Sequence, residues 1–203
     1  MRTANITYEP SFEGLPIQAY PSMDMGCHGE ILERGRDILN YMILKHCRVL
    51  FIRFDLRFPI TMACPTDNTA IQRFIDSFTV NLGRGGYDPR YLWVRERSGD
   101  GRCHYHVALW LDGTKTYSAF YHFDIAESLW ASALGIDDAK YLVERCQAIA
   151  RDNSRKSALM IVRGAPNFEE TRNHCFYWFS YLAKTATKDA PFGVRSFGCS
   201  ALR

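Results

Sequence analysis

The chain has 203 residues, of which 47% are hydrophobic and 14% aromatic, enough apolar material for one domain with a full core. A charged fraction of 23% excludes the composition of a disordered chain. The net charge is only +3, yet 19 of the 25 basic residues are arginine, a skew that suits bidentate phosphate contacts and stacking on bases.

Residues 1–28 include Pro10, Gly14, Pro16, Pro21 and Gly26 and show no period, so they read as an extended N-terminal arm, with residues 29–203 as a single domain. Ile31, Leu32, Ile38, Leu39, Met42 and Ile43 recur at helical spacing and predict a helix over about 29–46. In 48–58, Leu50, Ile52, Phe54 and Leu56 alternate with Phe51, Arg53, Asp55 and Arg57, the pattern of a strand with one face on a core, ended by Pro59. Asp67 or Asn68 can cap a helix carrying Ile71, Phe74, Ile75 and Phe78, which stops at Gly83, Gly85 and Gly86. Residues 91–97 and 103–111 form two strands joined by Ser-Gly-Asp-Gly-Arg, a hairpin signal. Helices are expected at about 118–134 and 138–151, a short strand at 157–163, and a last helix at about 168–185 capped by Asn167.

From residue 48 the order is strand, helix, strand, strand, helix or two, strand, helix. Its first six elements are those of an α+β fold, the split βαβ of a ferredoxin-like or RRM-like antiparallel sheet. Such a sheet has helices on one face and leaves the other for a site, over which the last helix can fold.

Seven cysteines, an odd set without a Cys-x-x-Cys pair, argue against a zinc ribbon or disulfide scaffold and for a reducing compartment. No signal-peptide pattern opens the chain, and no stretch approaches the roughly 18 apolar residues of a membrane span. A cytoplasmic protein without a membrane partner is expected.

The chemistry concentrates on the hairpin. His104 and His106 are two apart on a strand, so both imidazoles share a face. A hairpin symmetric about Asp100 places Glu96 opposite His104 on that face. Two imidazoles and a carboxylate make a half-shell for a divalent ion, with positions left for a phosphate oxygen and water. Histidines on strands are more often ordinary hydrogen-bonded residues than ligands; the opposed Glu96 is what adds weight. Tyr105, Val107, Leu109 and Leu111 alternate onto the other face as a core stripe, and Cys103 goes with them, which speaks against a zinc site built on it.

On the last helix Tyr177 and Tyr181 are four apart and stack on one side, with Lys184 three further on. A phenol is a competent nucleophile on phosphorus if a metal polarises the phosphate and a cation manages the phenol's charge. Aromatic runs at helical spacing usually pack a core, and Trp178 and Phe179 are assigned to packing. Arg53, Asp55 and Arg57 share one strand face, which could equally be a solvated strand edge, and Arg95 and Arg97 flank the site.

The combination of His104-Tyr105-His106, Glu96 and Tyr181-Leu182-Ala183-Lys184 resembles HUH endonucleases. The phrases RFDLRFP, YLWVRER, HYHVALWL, FYWFSYLAKT and RSFGCS resemble inovirus-type gene II-like proteins, including prophage YagK/YfjJ-type domains, over about residues 30–200. The paired Tyr177 and Tyr181 are similar to two-tyrosine initiators, except that Ser180 stands where that pattern has its first Lys.

This resemblance implies a metal-dependent (Mg²⁺ or Mn²⁺) endonuclease and strand transferase acting in rolling-circle DNA replication of a phage or prophage. His104, His106 and Glu96 would hold the metal, with Asp55 contributing to its shell, and Arg53, Arg57 and Arg95 would contact DNA. Tyr181 would form the phosphotyrosine, with Tyr177 as candidate second nucleophile and Lys184 stabilising charge. The partners implied are single-stranded DNA or an origin hairpin, with host helicase and polymerase in trans, since the chain lacks a G-x-x-x-x-G-K-[ST] loop. The alternatives are an HUH relaxase or transposase, and a catalytically silent single-stranded DNA-binding prophage protein.

Overall fold

The structure, a computed structural model, describes residues 5–149, 155–185 and 193–202. Among these, four helices surround an antiparallel sheet: α1 (Gly29–Lys45), α2 (Thr69–Arg84), α3 (Phe120–Leu134) and α4 (Phe168–Ser180). The sheet comprises β1 (Arg48–Arg57), β2 (Arg90–Arg97), β3 (Cys103–Asp112), β4 (Val143–Arg145), β5 (Ala158–Val162) and β6 (Phe197–Cys199). Its order is β5-β1-β3-β2-β6, with β4 also on β1, and every pairing is antiparallel. The fold is therefore α+β.

The alternation in β1 divides two cores. Leu50, Ile52, Phe54 and Leu56 pack with Tyr105, Val107, Leu109 and Leu111 of β3 under α2 and α3. Phe54 meets Phe74, Phe78 and Phe123 edge-on, and Trp130 packs on Phe74. Each such buried aromatic contributes about 1.5–3 kcal/mol relative to exposure. On the other face Val49 and Phe51 join Leu92, Val94, Ala108 and Trp110 under α1 and α4. Gly35 permits that covering, because a Cβ there would lie 2.0 Å from the Phe179 ring.

Helices thus cover both faces, which corrects the expectation of helices on one face with α4 alone over the other. The amphipathic stripe of α1 gave no signal of which face it would choose.

The helix expected at 138–151 is replaced, in its described part, by a turn, β4 and a two-residue strand at Ala148–Ile149; residues 150 and 151 lie outside the described residues. The reason lies in β1. Its pairing with β5 runs only from Arg48 to Ile52, and β4 takes the backbone groups of Phe54, Asp55 and Leu56 that would otherwise lack partners. The last helix ends at Ser180, and Tyr181–Ala183 continue as a 3₁₀ turn.

Cys64 and Cys103 are joined as a disulfide, with Cα atoms 5.4 Å apart. Their separation of 39 residues carries no local motif, so the odd cysteine count could not announce the pair. Among the described residues no helix is long and apolar enough to cross a membrane.

Candidate functional site

The hairpin has the register its symmetry predicted: Glu96 lies opposite His104, and Val94 opposite His106. Gly101, with φ +81°, makes the turn possible, and the Ser98 and Arg102 backbones close it at 2.8 Å. β1 pairs with the other edge of β3 and sets Asp55 opposite His106 and Arg57 opposite His104. Alternation then puts Arg53, Asp55, Arg57, Glu96, His104 and His106 on the face under α1 and α4.

Three donor atoms converge there. Glu96 Oε2 is 3.1 Å from His106 Nε2 and 3.9 Å from His104 Nε2, and the two Nε2 atoms are 3.2 Å apart. Three ligands held at about 2.0–2.2 Å from one ion stand roughly 3–3.5 Å from each other, so the residues present fit a divalent cation. Glu96, His104 and His106 form such a group of potential ligands.

The outer nitrogens are held as metal-binding imidazoles require. His106 Nδ1 donates to Asp55 Oδ1 at 2.5 Å, and His104 Nδ1 is 3.3 Å from Ser98 Oγ. Asp55 is therefore placed to orient His106, a more specific position than the general metal-shell role the sequence suggested. Cys146 donates its thiol to the same carboxylate at 3.3 Å.

Burial pushes His106 toward the neutral form, but hydrogen bonds to Asp55 and Glu96 outweigh it and raise its pKa. Burial also works against the Asp55 carboxylate, and the bond to His106 and its charge reverse the balance, holding it below the ordinary value. His104 is lowered, first by burial and then by the charge of His106.

Tyr181 stands beside this group. Its ring meets His106 edge-on at 5.3 Å, with the Arg53 guanidinium carbon 4.6 Å and Lys184 Nζ 4.0 Å from the ring centroid. Burial and then Glu96 raise the Tyr181 pKa, with Arg53 opposing. Burial and then Arg53 lower that of Lys184. The arrangement pairs a protonated phenol with an ammonium that is itself destabilised.

Tyr177 keeps different company. Its hydroxyl lies 3.3 Å from that of Tyr20, a residue of the N-terminal arm, and this bond with partial burial pushes its pKa up to about 12. Ser180 is buried: it donates to the Tyr177 carbonyl at 2.7 Å and accepts the Gln18 N–H at 2.8 Å. Gln18 Nε2 also donates to the Tyr177 carbonyl, at 2.8 Å. The arm thus closes over Ser180 and the Tyr177 carbonyl. Tyr20 and Gln18 went unseen in the sequence because a segment without a period gives no sign of where it docks, and Cys146 because its segment reads as a helix.

Of the predicted basic contacts, Arg53 and Arg57 lie on the site face, Arg57 paired with Glu144. Arg95 does not. It is fully buried on the opposite face, donating to the carbonyls of Asp67 and Pro65 and to Asn68 Oδ1. Alternation along β2 sets Arg95 against Tyr105, so it anchors the entry to α2 and cannot contact DNA across the site. Asn68 is drawn into that anchor, and Asp67 instead accepts the Thr69 N–H at the helix start. Trp178 and Phe179 are buried, as expected of packing residues.

A cavity of about 480 Å³ opens beside Tyr181, with Gln18, Arg53, Asp55, Cys146 and Tyr177 among its walls. It meets the three-donor group only through Asp55 and Tyr181.

The sequence pattern of the YagK/YfjJ C-terminal domain matches residues 17–200, starting within the arm where it reaches α4. The uncharacterized protein YfjJ of Escherichia coli (strain K12) is 26% identical across 87% of this chain and 97% of its own length. The uncharacterized protein YagK of the same strain is 27% identical, with the same shares covered. No solved structure matches the chain.

Proposed function

The chain belongs to the YagK/YfjJ C-terminal domain family, and from the geometry of its site we propose that it nicks and rejoins single-stranded DNA through a metal-assisted phosphotyrosine intermediate. One observation carries the reading: three donor atoms spaced for a single divalent ion adjoin a tyrosine with two cations over its ring. The order β5-β1-β3-β2 supports reading the sheet as a ferredoxin-like split βαβ with α4 folded over the site face. The likeness of this residue set to HUH endonucleases supports a role in starting rolling-circle replication of a phage or prophage.

Glu96, His104 and His106 would hold Mg²⁺ or Mn²⁺, which when bound polarises a phosphate oxygen. Asp55 keeps His106 in the tautomer whose Nε2 lone pair faces the donor group. Tyr181 supplies the nucleophile: its Oη–P bond forms as the P–O3′ bond breaks. The products are a 5′-phosphotyrosine and a free 3′-hydroxyl able to prime synthesis. The phenol proton leaves to solvent and the departing 3′-oxygen takes one up from it, while Lys184 and Arg53 over the ring favour the phenolate. One phosphodiester replaces another, so the strand can be rejoined without ATP. Tyr177 lines the same cavity and is the candidate for a second transfer. Strand separation and synthesis would come from host helicase and polymerase.

The test is a denaturing gel of protein incubated with 3′-end-labelled single-stranded DNA, a randomised pool, and Mn²⁺. A covalent adduct that EDTA prevents and Tyr181→Phe removes is the expected result. Loss only with Tyr177→Phe would reverse the tyrosine roles. DNA binding indifferent to EDTA, with no adduct from any strand, would leave a silent binding module.

A further inference from the structure

The cavity beside Tyr181 contains a buried cation with too few partners. Arg53 is 5% exposed, yet among the described residues only Nη1 of its guanidinium is hydrogen-bonded, to the Trp178 carbonyl at 2.9 Å. Its Nε is buried with no partner, and among the described residues no carboxylate pairs with it. Asp55, two residues along the same face, is engaged by His106 and by the Cys146 thiol. The rings of Tyr181 and Trp178 lie 4.6 and 5.7 Å from the guanidinium carbon and offset part of the desolvation cost. They offer nothing to the in-plane N–H groups. A buried guanidinium left in this state calls for an anion, and a phosphate oxygen matches its fork.

The space is there for one. At about 480 Å³ the cavity falls within the roughly 300–1,000 Å³ of small-ligand sites. Its walls add the rings of Tyr177, Tyr181 and Trp178 and the amides of Gln18 and Gln147. Aromatic faces take an unstacked base, and amides can bond its edge.

We propose that this cavity is a nucleotide subsite. It takes one nucleotide of the single strand next to the scissile phosphate, with that nucleotide's own phosphate on Arg53 and its base against Tyr177 and Trp178. The assignment rests on the nickase reading, but the walls do not include Glu96, His104 or His106, so binding here does not need the metal.

The experiment is calorimetric titration of the full chain in EDTA with the four deoxynucleoside 5′-monophosphates, the corresponding deoxynucleosides and inorganic phosphate. The wild type and Arg53→Gln are compared, with the thermal midpoint of each recorded. At least one monophosphate should bind the wild type about tenfold or more tightly than its deoxynucleoside, and Arg53→Gln should erase the difference. Should the variant not fold, the wild-type comparison of the three ligand classes still decides. Equal affinity for monophosphate and deoxynucleoside, phosphate binding as tight as the nucleotide, or an unchanged folded Arg53→Gln would each overturn the subsite.

The adduct gel run on the same preparations separates the two ideas. An adduct without nucleotide binding removes the subsite alone. Nucleotide binding without any adduct on any strand removes the nickase and leaves a single-strand groove.

Discussion

Along the face of the sheet that α1 and α4 cover, the two ends are built from the same strands and differ in almost every respect. At one end Val49 and Phe51 of β1, Leu92 and Val94 of β2 and Ala108 and Trp110 of β3 form ordinary core. At the other, Arg53, Asp55 and Arg57 of β1 face Glu96 of β2 and His104 and His106 of β3. Apart from the exposed Arg57 and half-buried His104, the polar end is almost as buried as the apolar one: Asp55 is 8%, Glu96 5% and His106 4% exposed. Burial alone therefore does not separate core from site. Partnership does. Among the described residues the apolar end carries one buried side-chain atom without a hydrogen-bond partner, Trp110 Nε1, whereas the polar end leaves a guanidinium half-bonded and two imidazole Nε2 atoms 3.2 Å apart facing one carboxylate. A buried polar group costs free energy unless bonded, so a deficit that also lines an open cavity, as that of Arg53 does, marks a place for a ligand.

If the two ends differ in this way, changes at the polar end should remove function and spare the fold, and changes in the apolar cores should do the reverse. The largest effect expected is on chemistry. Tyr181→Phe should reduce adduct formation by about a thousandfold or more, with the thermal midpoint little changed; a persistent adduct at another residue would break the comparison. Next, Phe54→Ala in the apolar core of the opposite face should cost about 3–5 kcal/mol in denaturant unfolding. Mn²⁺ affinity measured well below the transition should stay near wild type.

Removing the orienting carboxylate comes third. Asp55→Asn should weaken Mn²⁺ binding about 10–100-fold, read as a smaller metal-induced rise in melting temperature. An undiminished rise would deny Asp55 its positioning role.

A fourth effect concerns pH. His122 is buried near Thr116 and Tyr87, away from the site, and burial lowers its pKa from 6.5 to about 4. The unfolded chain therefore binds the extra proton first. The contribution of neutral His122 is fully present above pH 6.5 and is lost as pH falls toward about 4. His122→Phe should flatten the acid limb of the stability curve in that window. The smallest effect is at the arm: Tyr20→Phe should return the Tyr177 titration from about 12 toward 10, seen by ultraviolet absorbance, at a stability change within about 1 kcal/mol.

Much of this was legible in the residues. Four strands, the helices around 29–46 and 118–134, and the start of the last helix follow from period and punctuation. The triad was legible too, because two-residue alternation and a symmetric turn are local rules that fix both face and register. The same rules buried Arg95: two-residue alternation, applied to it as it was to Glu96, would have set it against Tyr105. What stayed hidden was always a pairing at long range, such as β4 on the edge of β1, Cys64 against Cys103, or Gln18 and Tyr20 against α4.

The sequence by itself determined which side of each strand faces which core, and which donors share a face, because those depend on residues only a few positions apart. The tertiary structure alone decided that α1 joins α4 over the site, that Asp55 orients His106, and that Arg53 lies buried with an unfilled hydrogen-bonding edge. Those outcomes depend on how elements far apart in the chain come to share one low-dielectric space, where every polar group must find its partner, and no local pattern encodes that meeting.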